Sequence, residues 1–327
     1  MLAAMAAAET GDDVFGEDPS INKLENMTAE LFGMQAALYC PTGTMSNQVA
    51  IKVHTQPGDE VICERSAHVF LYEGGGIAFN SGAQVRLLEG DRGRINASQV
   101  AEAINNRNDV HKANSSLVCL ENTCNRGGGS CYDLNEIAAI REVCDTNDLK
   151  LHLDGARLFN ALVATGQKAT DYGKLFHSIS LCLNKGMGCP MGSMLVGSKE
   201  FIRKARRVRK VLGGGMRQAG YMAACGIYAI ENNIDRLATD HAHAKRIAES
   251  LDGASYVSKV HPVDTNIIVL NVTPGLPAET VAKRFEDVNI RVMAIAPTQI
   301  RMVTHLDVSS EMVDYVVNFI GNNKGEF

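Results

Sequence analysis

The sequence predicts an α/β fold: a large domain with a mostly parallel seven-stranded sheet between helices, followed by a small α+β C-terminal domain. Three observations predict it. Short apolar runs alternate with helix-patterned stretches over residues 1–233, and short intervening helices favour parallel strands. Two of those runs end in an ionisable residue, Asp154 and Lys185, as strands do where ligands sit at the carboxyl edge of such a sheet. From about Ile234 the order changes to helix, strand, helix, two strands and helix. The expected domains are therefore residues 1–233 and 234–327.

Taken in order, Ala36-Ala-Leu-Tyr-Cys40 reads as the first strand. The turn Pro41-Thr-Gly-Thr-Met-Ser-Asn47 follows it, then a helical run from Gln48 to Val53. Further strands are expected at 60–63, 84–88, 117–121, 150–154, 179–184 and 192–197. A helix from Leu134 to Asn147 has Asp133 as its cap. The C-terminal part reads as helix 235–251, strand 265–271, helix 278–288, strands 290–295 and 299–304, and helix 309–321.

Bulk properties narrow the function classes. A chain of 327 residues that is 45% hydrophobic can bury a large core. Its formal charge of −5 argues against a nucleic-acid binder. The basic run Arg203-Lys-Ala-Arg-Arg-Val-Arg-Lys210 reads as a solvated helical face or as a phosphate contact across an oligomer interface. Nine scattered cysteines without a C-x-x-C pair suggest reduced cytosolic thiols and no zinc or other metal site. No apolar run reaches transmembrane length, and Met1–Ala8 lacks the basic start of a signal peptide. A cytoplasmic protein acting on a small molecule is expected.

The candidate chemistry lies at the strand ends. A lysine held beside a buried strand, as Lys185 is expected to be, loses solvation; this lowers its pKa and favours Schiff-base chemistry with a carbonyl. The glycines of Gly186-Met-Gly188 and Gly192 let a flat ligand approach the backbone. Asp154, in Leu151-His-Leu-Asp-Gly-Ala-Arg157, can bond the pyridine nitrogen of pyridoxal phosphate, keep it protonated and make the ring an electron sink. Arg157 suits bidentate capture of a carboxylate. Gly43 and Thr44 open a helix whose free N–H groups and dipole face an anion. His68, in Glu64-Arg-Ser-Ala-His-Val-Phe70, is either a ring-stacking imidazole or an ordinary loop histidine.

Together these pieces resemble low-specificity L-threonine aldolase, a pyridoxal-phosphate enzyme of fold type I, from the first residue to about Val308. The motifs include Gly11-Asp-Asp-Val-Phe-Gly-Glu-Asp-Pro19, Leu183-Asn-Lys-Gly186, Gly213-Gly-Gly-Met-Arg-Gln-Ala-Gly220 and Arg301-Met-Val-Thr-His-Leu-Asp-Val308, besides those quoted above. The resemblance implies that Lys185 carries the cofactor as a Schiff base, Asp154 partners its ring nitrogen and His68 stacks on the ring. It implies a phosphate cradle at Gly43 and Thr44 and a substrate-carboxylate grip by Arg157 and Arg301. Lys210 and Arg217 would reach a neighbouring subunit's cofactor phosphate, and His111 would stand near the substrate's hydroxyl. The base that takes that hydroxyl's proton stays open between His68, His111 and an ordered water. The implied activity is cleavage of L-threonine or L-allo-threonine to glycine and acetaldehyde, by a homotetramer built as a dimer of dimers.

Three departures from the family are visible. The chain starts after a segment that in the family contains Arg-Ser-Asp-Thr, Cys124 stands where the family has histidine, and Asn184 replaces a serine. They raise the expectation of lowered activity, with a cofactor-binding homologue of little turnover, or another eliminating lyase, as the alternatives.

Overall fold

The computed structural model describes residues 1–325. The large sheet contains β1 (Ala36–Cys40), β2 (Asp59–Glu64), β3 (Gln84–Leu88), β4 (Asn114–Glu121), β5 (Lys150–Asp154), β6 (Ser178–Cys182) and β7 (Ser193–Gly197). Their order is β1-β7-β6-β5-β4-β2-β3. β7 runs antiparallel to both its neighbours, and the remaining pairs are parallel. Strands β5 to β7 are almost wholly buried, so they read as continuous apolar runs rather than alternating ones. The parallel arrangement brings the carboxyl ends of β2, β4, β5 and β6 to one edge. Across that edge Glu121 pairs in register with Asp154, and Asp154 with Ser180.

Local capping fixes where helices enter this edge. Thr42 accepts a hydrogen bond from the Met45 N–H at 3.1 Å and starts the helix Gly43–His54. The helix Leu134–Thr146 begins at Asp133, whose side chain accepts from the Asn135 N–H, as the sequence predicts. Leu183 continues the apolar run but not the strand. Its N–H donates to the Gly192 carbonyl and its own carbonyl accepts from the Cys189 N–H, so β6 ends at Cys182 and Lys185 sits in the following turn.

A second sheet, β8 (Val257–Val260), β9 (Ile267–Val272), β10 (Met293–Ala296) and β11 (Gln299–Val303), is antiparallel throughout in the order β10-β11-β9-β8. It has its own core around Leu251, Tyr256, Ile268, Leu270, Phe285 and Ile300. The edge strand β8 is absent from the sequence expectation because Val-Ser-Lys-Val is too short to show a period. The strand expected at 290–295 begins only at Met293.

The basic run corrects one expectation. On the helix Lys199–Val211, Arg209 is 2% exposed and points inward, donating to Asp13 Oδ2 at 2.7 Å and to the Tyr39 carbonyl at 2.6 Å. Arg206 donates to Glu25 Oε2 at 2.6 Å, and Glu25 accepts from the Tyr39 N–H at 2.9 Å. Two of the run's six cations, Arg206 and Arg209, therefore bind the N-terminal segment and β1 to this helix. Replacing Asp13 by Ala leaves a buried guanidinium without its counter-charge, which costs roughly 3 kcal/mol. Urea denaturation of Asp13→Ala should show that loss, and Asp13→Ala combined with Arg209→Met should recover much of it. A change below about 1 kcal/mol in the single variant would mean the pair holds nothing.

Candidate active site

Asp154 ends β5 at the carboxyl edge and is 2% exposed. Its Oδ1 accepts from the Ala156 N–H at 3.1 Å and its Oδ2 from the Asn47 side-chain amide at 3.0 Å. The same Asn47 nitrogen donates to Glu73 Oε1 at 2.8 Å, and Gln48 donates to Glu73 Oε2 at 2.6 Å. Glu73 Oε1 is also 3.0 Å from His68 Nδ1. Two carboxylates on one side fix which way the Asn47 amide points, with nitrogen toward them and oxygen away. That oxygen then accepts from Ser180 Oγ at 2.5 Å and from His152 Nε2 at 3.1 Å. His152 Nδ1 is left to accept from Ser178 Oγ at 2.8 Å. Burial pulls the His152 pKa down to about 4, so the ring is neutral and this tautomer persists.

His68 opens the short helix His68–Leu71, and its N–H donates to Glu121 Oε2 at 2.8 Å. Its pKa is raised, first by the hydrogen bond to Glu73 and then by the charges of Asp154 and Glu73, while burial and Lys185 oppose. Donor atoms of His68, Glu73 and Asp154 lie within 4.8 Å of one another. A cation among them would face the Asn47 N–H groups, which already serve both carboxylates, so the geometry suits an amide bridge better than a metal. Glu121 is the third carboxyl at this edge. Burial, with Asp154's charge second, raises its pKa to about 7 while its oxygens accept from the His68 and Asn125 N–H groups.

Lys185 lies in a cleft of about 380 Å³ with Arg157, Asn184, Asn266, His305 and Asp307. Arg157 leaves the end of β5 and Arg301 comes from β11, yet both reach the Asn125 side-chain oxygen, at 3.5 and 2.8 Å. The helix start at Gly43 is pressed against β6, for a Cβ there would lie 2.5 Å from Cys182 Sγ. Only glycine fits so close an approach. Burial raises the Cys182 pKa, and the charges of Lys185, Asp154, Arg157 and Glu73 also act on this thiol at the end of β6.

The structure thus gathers His68, Asp154, Arg157, Lys185 and Arg301, with Gly43 and Thr44 at the neighbouring helix start. Lys210 and Arg217 flank the glycine loop 213–215, which packs against Met45 of that helix. Arg217 is occupied within this chain by Asp12 and lies 5.6 Å over the Phe15 ring. His111 is not gathered. It precedes the amino end of β4, its side chain is 89% exposed, and it pairs with Asp109. The site lies at the other end of this eight-residue strand, on the order of 25 Å away at 3.3 Å per residue. The expectation for His111 is corrected accordingly. Cys124 is 2% exposed and its thiol donates to the Glu121 carbonyl at 3.0 Å, so it packs below the cleft rather than lining it.

Sequence reasoning missed Asn47, Glu73, Glu121 and Asn125 as site members. The available signal lay on the helix Gly43–His54, where Asn47 and Gln48 run directly into the apolar Val49-Ala-Ile51 and are buried with it.

Comparison with known proteins follows the same lines. The model of the beta-eliminating lyase family matches residues 1–274. A probable low-specificity L-threonine aldolase 2 of Arabidopsis thaliana is 40% identical over 324 residues, covering 97% of this chain and 91% of that protein. A low specificity L-threonine aldolase of Escherichia coli (strain K12) is 41% identical over 315 residues, covering 96% and 92%. A solved threonine aldolase of Leishmania major superposes with a TM-score of 0.86 at 20% identity, over 99% of this chain and 95% of that one. At that identity the likeness concerns the fold.

Glu73→Gln weakens the hydrogen bond that chiefly raises the His68 pKa, and should lower that pKa, read by NMR titration. The sign carries into stability. A raised folded pKa contributes stability that is complete below the unfolded value of about 6.5 and is lost as pH rises through the folded value. In Glu73→Gln that loss should shrink and be complete at lower pH, since only the folded value moves. An unchanged titration would show that Asp154, not Glu73, holds the proton.

Proposed function

The chain belongs to the beta-eliminating lyase family, and on that premise we propose that it is a pyridoxal-phosphate-dependent aldehyde-lyase, cleaving L-threonine or L-allo-threonine to glycine and acetaldehyde. One observation carries this reading. An amine, a buried carboxylate and a pair of arginines converge at a single sheet edge beside a helix N-terminus. The donor set fits the cofactor group by group: Lys185 for its aldehyde, Asp154 for its ring nitrogen, and the helix start at Gly43 and Thr44 for its phosphate. Bound there, pyridoxal phosphate would supply an aldehyde able to form a Schiff base with an amine, and a conjugated ring able to accept the electron pair released at Cα.

The chain's own residues do the rest. Asp154, oriented by the Ala156 N–H and the Asn47 amide, favours a protonated ring nitrogen and so the electron-accepting state. Arg157 and Arg301 hold the substrate's carboxylate and thereby set the rotation about its Cα, which places the Cα–Cβ bond for cleavage. His68 takes the proton of the β-hydroxyl on Nε2 while Nδ1–H is donated to Glu73. Loss of that proton turns the hydroxyl into the departing aldehyde's carbonyl as the Cα–Cβ bond breaks. A proton returned to Cα completes glycine. The alternative of a cofactor-binding subunit with little turnover has no comparable support, since the similar curated proteins are named as aldolases.

The same reading extends to assembly and place. We take residues 1–233 and 234–327 as the two domains, with Arg301 supplied by the second. Exposed Phe15 and Val211 beside Arg217 and Lys210 make an apolar and basic surface suited to a second copy of the chain, within a tetramer whose cofactor phosphates these cations approach. The described residues contain no helix long and apolar enough to cross a membrane, and all nine cysteines are unpaired, which supports a cytoplasmic setting.

Loaded wild-type protein given L-threonine should release acetaldehyde and change its visible spectrum. Lys185→Ala should lose the cofactor's covalent spectrum and turnover by roughly 10³-fold or more. Asp154→Ala should weaken cofactor binding and slow single-turnover cleavage by a comparable factor. Turnover retained in Lys185→Ala would end the assignment, and unchanged single-turnover kinetics in Asp154→Ala would end the proposed role of that carboxylate.

A further inference from the structure

Two guanidinium groups that meet without an acid between them need an explanation. Arg157 and Arg301 both donate to the Asn125 side-chain oxygen, at 3.5 and 2.8 Å. That oxygen is the terminus of a neutral amide, carrying only a partial negative charge. Burial, followed by the neighbouring cation, lowers the pKa of each arginine, with Arg301 acting on Arg157 and Arg126 acting on Arg301. The arginine pair is therefore short of one full negative charge. The shortage has a second mark: Arg301 Nε is buried without a hydrogen-bond partner, though a buried guanidinium N–H normally has one. The charged groups acting on the pair do not remedy it. Asp154 bonds Ala156 and Asn47, and Glu121, with its raised pKa, bonds the His68 and Asn125 N–H groups.

We propose that Asn125 is a positioning and specificity residue, whose neutral side-chain oxygen holds Arg157 and Arg301 together while leaving them one charge short, so that the carboxylate of an α-amino acid supplies it. The inference rests on the function proposed above and deepens it. An aspartate in the same position would supply the missing charge from within and compete with the substrate. An alanine would let the like charges move apart. The backbone N–H of Asn125, which donates to Glu121 at 2.9 Å, is untouched by either change.

The two variants give opposite signs in one measurement and the same sign in another. Asn125→Asp should raise the melting temperature of the cofactor-loaded protein by a few degrees, and Asn125→Ala should lower it. Both should raise KM for L-threonine, by at least about tenfold for Asn125→Asp, with kcat falling by less than about threefold. Glycine, which keeps the carboxylate but has no bond to cleave, should bind loaded Asn125→Asp more weakly by the same factor, read from its spectral change. A melting temperature that falls in both variants, or a kcat loss at unchanged KM, would overturn the proposal. Failure of the wild type to cleave threonine would count against the aldolase reading alone, because the melting shifts and the glycine titration still test Asn125.

Discussion

The site depends on one side-chain amide. Asn47 is held between two buried carboxylates, and it satisfies Glu73 and Asp154 with the two hydrogens of one nitrogen. Without a donor between them, two such carboxylates would compete for a proton, and one would be neutralised. The amide bridges them instead, and Glu73 Oε1 still reaches His68 Nδ1 at 3.0 Å. The orientation this forces on Asn47 passes outward to His152, Ser180 and Ser178, and finally to His54, whose Nε2 is 2.8 Å from Ser178 Oγ. Every donor in that chain points the same way, so its dipoles add in favour of the Asp154 charge.

Glu121 shows the other solution to crowded acids. It lies beside Asp154 in register, and burial with that charge raises its pKa to about 7. Its contribution to stability is therefore complete below the ordinary glutamate value and lost as pH rises through about 7. Asp154 accepts from a backbone N–H and an amide, Glu73 from two amides beside an imidazole, and Glu121 from two backbone N–H groups. Those two N–H groups oppose the rise in the Glu121 pKa, and burial outweighs them.

Much of this was legible in the sequence because strand ends announce themselves. Asp154 and Lys185 each follow a buried strand, and the run 150–154 matches β5 residue for residue. The overshoot at 179–184 has a simple cause: Leu183 is as buried as the strand before it but spends its hydrogen bonds in a turn. Glu73 was illegible because its partners Asn47 and Gln48 lie about 25 residues earlier, on a helix whose inner face only the sheet defines. His111 failed for the opposite reason. Its place before a strand is visible in sequence, but which end of the sheet holds the ligand decides its role, and His111 is at the other one.

Arg301 also ties the small sheet to the loop after β4. Arg301 belongs to the small sheet, but its partner Asn125 belongs to the loop that leaves β4 at Glu121. That loop is fastened to both units: Asn125 N–H to Glu121, the Gly129 carbonyl to Thr265, and Arg126 to the Ile295 carbonyl. A Cβ at Gly129 would lie 2.3 Å from the Thr265 hydroxyl, and one at Gly127 would lie 1.8 Å from the Arg92 carbonyl, so both close approaches require glycine. Through Asn125 the loop links Arg157, from the end of β5, to Arg301 on the small sheet. Two hydrogen-bonded routes leave this edge, one through the loop after β4 to Arg157 and Arg301, the other through Asn47 to Asp154. They join at Glu121, in register with Asp154, and again in the turn from Asp154 to Arg157, whose Ala156 N–H bonds Asp154.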